Sequence, residues 1–272
     1  MRYIIETFDS VASFVNTINS RDRVQGSSRS STQNDFDFTG TMSYDEANSL
    51  ALYGDKKSAE KINASFRKLK LDSNHEQRAQ AKVKRSPVGS RPCVAAALQG
   101  HPNSMYRRTK VMVKKPICTI YYNMSASACE EQEDIADAGA KLAEVIQTIE
   151  RSGVRVNLYV GNISRTDSEQ TFVFAKVKDS MKDFNLLRMS YALINPSYFR
   201  RHWFHWVETC KQITASKWSC GYGRPLFESD EYKDAEQIMR NKGVKFDAFV
   251  YYYQIRSKSV DEIIELITGG KK

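Results

Sequence analysis

PICTIYYNMSASACEEQEDIADAGAKLAEVIQTIERSGVRVNLYVG, residues 116–161, decides the fold. Ile117, Cys118, Ile120, Tyr121 and Tyr122 form a short apolar run, the pattern of a strand covered on both faces. Ser127 stands three residues before Glu130, the spacing of a capping box. Glu130, Glu131, Glu133 and Asp134 crowd the next turn, where carboxylates favour the helix dipole. Ile135, Ala138, Leu142, Val145, Ile146 and Ile149 recur at helical spacing, and Gly153 is the expected left-handed stop. Val154, Val156, Leu158 and Val160 then alternate with Arg155, Asn157 and Tyr159, as in a strand. Strand, helix of about six turns and strand make a right-handed βαβ unit with parallel strands.

Toward the C-terminus, a polar loop over 162–169 leads to a third strand over 171–177. Helices follow from Leu186 to the break at Pro196, over the aromatic run 198–210, and from Ser229 to Gly243. Phe246–Tyr253 reads as a strand, and Ser259 with Glu262 caps a last helix. This alternation predicts an α/β domain over 111–272, an open, mostly parallel sheet with helices on both faces. Such sheets bind ligands beyond the carboxyl ends of their strands. That edge is expected to carry Asn123–Ser127, Asn162–Asp167 and Asp179–Ser180.

Toward the N-terminus, Ile4, Phe8, Val11, Ala12, Val15 and Ile18 fit one face of a helix over 3–19. The polar, Ser-rich run 20–35 reads as a mobile linker. Ser43 and Glu46 cap a helix that stops at Gly54, and a second helix follows over 56–71. A basic connector runs to Arg91, a short helical segment covers Val94–Leu98, and 107–115 reads as a lysine-rich edge strand. Residues 1–110 are therefore expected to be a mainly helical, partly flexible, basic extension.

The net charge is +9, and its location matters more than its size. Residues 67–115 hold thirteen Lys and Arg against only Asp72 and Glu76, a surplus of +11 that exceeds that of the whole chain. Such a field suits phosphate or an acidic partner, with Lys82, Lys84, Arg85, Arg107 and Arg108 as candidate nucleic-acid contacts. The plainer alternative is a solvated surface with a flexible arm. Hydrophobic content of 41% supports a sizeable core, and no apolar run approaches membrane-spanning length. Five cysteines without CxxC spacing, and an N-terminus unlike a signal peptide, point to a reduced, intracellular protein.

His202, His205 and Glu208 have the residue types of a zinc site, but their spacing winds them round a helix, so core packing is the reading. Arg200 and Arg201, beside Tyr198, Trp203 and Trp206, could stack on bases; arginines snorkelling past packed aromatics is the preferred account. No nucleophile, base and electrophile converge, so the chain reads as non-enzymatic.

A strand ending in Asn123-x-Ser125-x-Ser127, then a helix and a G-x-x-V strand, resembles a von Willebrand factor A-like domain, a Rossmann-like architecture. In that family an Asp and two Ser bind a divalent ion, helped by a Thr and an Asp from other loops. The resemblance maps the serines onto Ser125 and Ser127 and puts Asn123 in place of the Asp. Thr166, Asp167 and Asp179 are candidates for the rest, and it implies either no cofactor or a weakly bound Mg or Mn ion. The blocks GTMSYDEANSLALYGD (40–55) and VGSRPCVAAALQGHPNSM (88–105), with the Tyr122–Gly161 unit, resemble an uncharacterised family found in bacteriophage genomes. That implies a phage or prophage origin and the cytoplasm of the bacterial host. The resulting expectation is a non-enzymatic interaction or assembly protein whose von Willebrand A-like domain binds a protein partner, an ATPase by analogy. The alternatives are a nucleic-acid-binding protein using 67–115 and a metal-dependent enzyme.

Overall fold

A computed structural model describes residues 1–24, 28–68, 81–110, 115–214, 218 and 222–269. The first part runs β1 (Arg2–Phe8), α1 (Val11–Asn19), α2 (Arg29–Thr32), α3 (Phe36–Thr39), α4 (Tyr44–Tyr53) and α5 (Lys56–Lys68). Next come β2 (Ala81–Ser86), β3 (Arg91–Pro92), α6 (Val94–Leu98), β4 (Met105–Lys110), β5 (Ile117–Asn123), α7 (Gln132–Arg151), β6 (Arg155–Arg165) and β7 (Glu169–Lys178). The rest is α8 (Leu186–Ile194), a π-helix (Tyr198–Trp203), α9 (Phe204–Thr209), α10 (Ser229–Asn241), β8 (Ala248–Tyr251), α11 (Tyr252–Ser257) and α12 (Val260–Thr268).

The βαβ unit forms as its pattern demands. β5 and β6 pair in parallel, with Ile117 opposite Arg155 and Asn123 opposite Gly161. Gly153 takes φ +97° just past α7. Ser127 does not cap α7, which starts later with Glu131 as its N-cap. Instead Ser127 Oγ accepts from Cys129 N at 3.3 Å, closing a local turn that delays the helix.

The main sheet has the order β1-β7-β6-β5-β8 and is mixed but mostly parallel. β6 and β7 are antiparallel, the one exception. They form a hairpin turned by Thr166, Asp167 and Ser168, where a polar loop and a further parallel strand were expected. Polar Asn162, Ser164, Gln170 and Thr171 are buried inside the strands, so polarity there does not mark a loop.

The N-terminus differs most from expectation. Residues 2–8 are an edge strand parallel to β7, and only 11–19 are helical. Ile4 and Phe8 fit both readings, because residues four apart share a face in a helix and in a strand. Ser10 accepts from Ser13 N at 3.0 Å and starts α1. Sheet pairing thus crosses the division expected at residue 110. Part of the predicted linker is also packed: Ser30 is fully buried against Glu208. Ser43 caps α4 and Ser259 caps α12, both as read from the sequence.

Helices cover both faces of the main sheet. One core joins Ile4 and Phe14 to Ile120, Tyr122, Leu142, Val156, Leu193 and Ile263. The other packs Tyr232, Ala235 and Met239 of α10 on Tyr121, Phe172 and Phe174. A second, three-stranded sheet has the order β2-β4-β3.

Candidate functional site

The strand-end loop is built inward. Asn123 is fully buried, and its Oδ1 accepts from Ser125 N at 3.2 Å and Ile163 N at 3.0 Å. Ser125 Oγ lies 2.5 Å from the same oxygen and 3.0 Å from Ile163 O, so its single proton is shared between two acceptors. Asn123 Nδ2 is buried without a partner. Ser127 N donates to Tyr253 Oη at 3.1 Å. A hard cation needs several oxygens with free lone pairs, mostly charged. Here the oxygen of a neutral amide is already occupied by donors, and this donor set does not fit one.

The hairpin also separates the other candidates. β7 runs against β6, pairing Lys178 with Leu158, while Asn123 lies opposite Gly161 and Gly161 opposite Phe174. Asp179 therefore sits toward the amino ends of β5 and β6, away from the Asn123 end. There it accepts from Met181 N at 2.8 Å and lies 3.7 Å from Lys176. Thr166 and Asp167 are in the hairpin turn, where Thr166 Oγ1 accepts from Glu169 N at 3.1 Å. What the structure does bring together is Ser125, Ser127 and Asn162, which line a cavity of 290 Å³ with Phe199, Trp203 and Tyr222. Tyr222 has φ +59°, the one non-glycine residue with positive φ among the described residues. Among those residues no three His, Cys, Asp or Glu side chains group as metal ligands, and no helix is long and apolar enough to cross a membrane.

The aromatic helix is structural and partly a π-helix. His202 is buried between Tyr191 Oη (2.9 Å from Nδ1) and Asn48 Oδ1 (3.0 Å from Nε2). Glu208, also buried, accepts from Ser30 N at 2.9 Å and Tyr222 Oη at 2.6 Å. Desolvation pushes its carboxyl up, but hydrogen bonds from His205, Ser30 and Tyr222 outweigh it and hold the group below the usual range. Arg200 and Arg201 do not snorkel. Arg200 donates to Phe38 O, Ser127 O and Glu130 O at 2.7, 3.1 and 3.0 Å. Arg201 donates to Ser30 O, Gln33 O and Thr41 O at 2.9, 3.1 and 2.8 Å. Arg201 pins the chain from α2 to α4 and Arg200 ties Phe38 to the Ser127–Glu130 turn, and both buried guanidiniums are closed to an external ligand.

The basic residues are arranged differently. β2 and β4 are antiparallel, with Lys84 opposite Arg107, Arg85 opposite Tyr106 and Val83 opposite Arg108. Arg91 of β3 is also opposite Tyr106. Paired residues share a face. One face therefore carries Lys84 and Arg107, and the other Arg85, Arg91 and Arg108. All five are exposed, and none is in an ion pair among the described residues. Lys82 is opposite Thr109, which places its backbone in register with the Lys84 face; its side chain lies outside the described residues. No Asp or Glu occurs between Glu76 and Glu130. β2 is hard to read in the sequence because its described side chains are mostly exposed and only Ala81 and Val83 alternate with its lysines.

The family described as Domain of unknown function (DUF7192) matches residues 2–267, nearly the whole chain, and the chain belongs to it. No curated protein and no solved structure matches the sequence.

Proposed function

We propose that this protein binds nucleic acid through its small basic sheet. The observation that carries the reading is a solvent-exposed sheet with cations on both faces and no carboxylate in its sequence. Unpaired cations on a surface repel one another unless a polyanion answers them, and binding one releases its condensed counterions. The leading expectation from the sequence, a protein partner such as an ATPase met by the strand-end loops, has less support, because Asn123 and Ser125 face the interior. We read the larger sheet as a von Willebrand A-like scaffold on the strength of Ser125 and Ser127 at the strand-to-helix junction. An origin in phage, acting in the bacterial cytoplasm, suits such a role.

Fluorescence anisotropy with labelled oligonucleotides over about 50–200 mM salt tests the proposal. The logarithm of affinity should fall linearly with the logarithm of salt. Replacing Lys84, Arg85, Arg107 and Arg108 together with Ala should reduce the slope by about 3–4, at roughly 0.9 for each phosphate no longer neutralised. Absence of binding at the lowest salt, or an unchanged slope in the variant, would overturn the proposal.

A further inference from the structure

We infer that the nucleic acid is duplex DNA, entered edge-on through its major groove by the β2–β4 ribbon. This rests on the nucleic-acid reading above and adds the form of the ligand and the way it is held. The decisive feature is that the cations are two-sided. A platform for single strands presents aromatic rings on one face, along which successive bases stack. Here the only aromatic side chain in the three strands is Tyr106, and the Lys84–Arg107 face has none. A single strand also has one backbone, so it would answer the charge of one face and leave the other unpaired. A groove offers a phosphate backbone on each side, and a ribbon standing in it meets both.

Dimensions select which groove. A sheet with its side chains is about 10 Å thick, the spacing at which sheets stack face to face. The major groove of B-DNA is about 12 Å wide and about 8.5 Å deep, and the minor groove about 6 Å wide. Only the major groove admits the ribbon. The major groove of A-form RNA is too deep and narrow for side chains to enter. The six residues each of β2 and β4 span about 20 Å, at about 3.4 Å per residue. Among the described residues β2 is an edge of the small sheet, and the two residues of β3 cover only the Met105–Tyr106 end of β4. Edge-on entry therefore leaves Lys84 and Arg107 facing one backbone, and Arg85 and Arg108 the other. Contacts of this kind fall on phosphates, so recognition should be nearly independent of sequence.

The test uses the full chain and one labelled sequence of about 25 base pairs as DNA duplex, DNA single strand and RNA duplex, at about 50 mM salt. The DNA duplex is expected to bind at least about tenfold more tightly than either of the others. Lys84→Ala with Arg107→Ala, and separately Arg85→Ala with Arg108→Ala, should each lower the salt slope by about 2, because both faces touch phosphate. Bulky groups placed on cytosine C5, which project into the major groove, should weaken binding, and a minor-groove drug should not compete. Equal affinity for single strands or RNA duplex overturns groove entry but leaves the nucleic-acid reading standing. So does a salt slope that responds to one face only. Failure of all three ligands to bind overturns both. Matching circular dichroism melts of the variants and the parent show that any weakening is not unfolding.

Discussion

His202 has both ring nitrogens engaged, and its protonation state follows from its partners. Asn48 Oδ1 can only accept, so Nε2 carries the proton and Nδ1 accepts from Tyr191 Oη. Burial, with His205 and Arg201 nearby, pushes its pKa from 6.5 down to about 3. The unfolded chain takes up a proton below its ordinary value, whereas the folded chain resists until about 3. The contribution to stability is thus complete above pH 6.5 and is lost as the pH falls from 6.5 toward 3. Melting curves should show a loss of about 2 kcal/mol by pH 5, and His202→Gln should flatten that part of the profile. An unchanged slope in the variant would mean that another group titrates there. Glu231, held down to about 2 chiefly by the hydrogen bond from Arg224, adds its own loss only below its ordinary 4.5. Asn123 supports a second prediction. Asn123→Asp keeps the acceptor of three hydrogen bonds but puts a carboxylate oxygen where Nδ2 is buried without a partner. The variant should lose about 3 kcal/mol in urea unfolding. Millimolar Mg²⁺ should not restore it, since the neighbouring serine oxygens are already hydrogen-bonded; a Mg²⁺-dependent recovery would return the loop to the metal reading. The identities of Asn123, Ser125 and Ser127 were legible as chemistry in the sequence. The direction their oxygens face was not, because it depends on Ile163, forty residues away.

At the scale of elements, α7 meets α8 at a glycine. A Cβ on Gly139 would lie 2.0 Å from Leu193 O and 2.6 Å from Ile194 Cγ2. Ala would otherwise be the better residue inside a helix, by about 0.5–1 kcal/mol. Close packing of the helices outweighs that preference, so Gly139→Ala should cost about 1–3 kcal/mol in urea unfolding, and a neutral result would show that the helices can move apart. The π-helix holds the neighbouring chain in a similar way. Arg201 joins Ser30, Gln33, Thr39 and Thr41 through one planar fork. Lys cannot reproduce that fork, so Arg201→Lys should bring early proteolysis at Arg29 while the rest of the chain stays resistant. Cleavage at the parent's rate would remove the pinning role. Elements with a buried face of regular period, α7, α8 and α12, could be read directly from the sequence. β1 was misread because its two core residues satisfy both periods. The β6–β7 hairpin was hidden by polar residues that the fold buries.

The whole molecule divides its residues between stability and charge. One core runs from Ile4 in the first strand to Ile267 in the last helix, so both ends of the family match contribute to it. No described side chain of 81–110 belongs to either core, and Val83, Val88, Val94 and Leu98 are among its exposed side chains. The α/β class was legible because alternating strands and helices announce a layered sheet. Of the basic sheet, the edge strand expected over 107–115 overlaps β4 at 107–110, its 111–114 part lying outside the described residues, whereas β2 was legible only as charge, because its described side chains are exposed and leave too little apolar period to read. The sheet's stability and its binding should therefore be separable. Replacing Lys84, Arg85, Arg107 and Arg108 with Ala removes like charges and leaves the buried packing untouched. The melting temperature should stay within about 2 °C of the parent, since exposed substitutions usually change stability by less than about 0.5 kcal/mol. Removing residues 1–9, by contrast, strips β1 from the edge of β7 and opens the core at Ile4 and Phe8. Burial of those two side chains alone is worth several kcal/mol, at about 1.5–3 each, against a typical total of about 5–15. The truncated chain should lose its cooperative melt or show it at least about 10 °C lower. If the truncated chain instead melts with the parent, β1 is not part of the cooperative unit. If the alanine variant is the one that unfolds, the basic sheet is carrying stability, and its exposed cations need a partner within the fold.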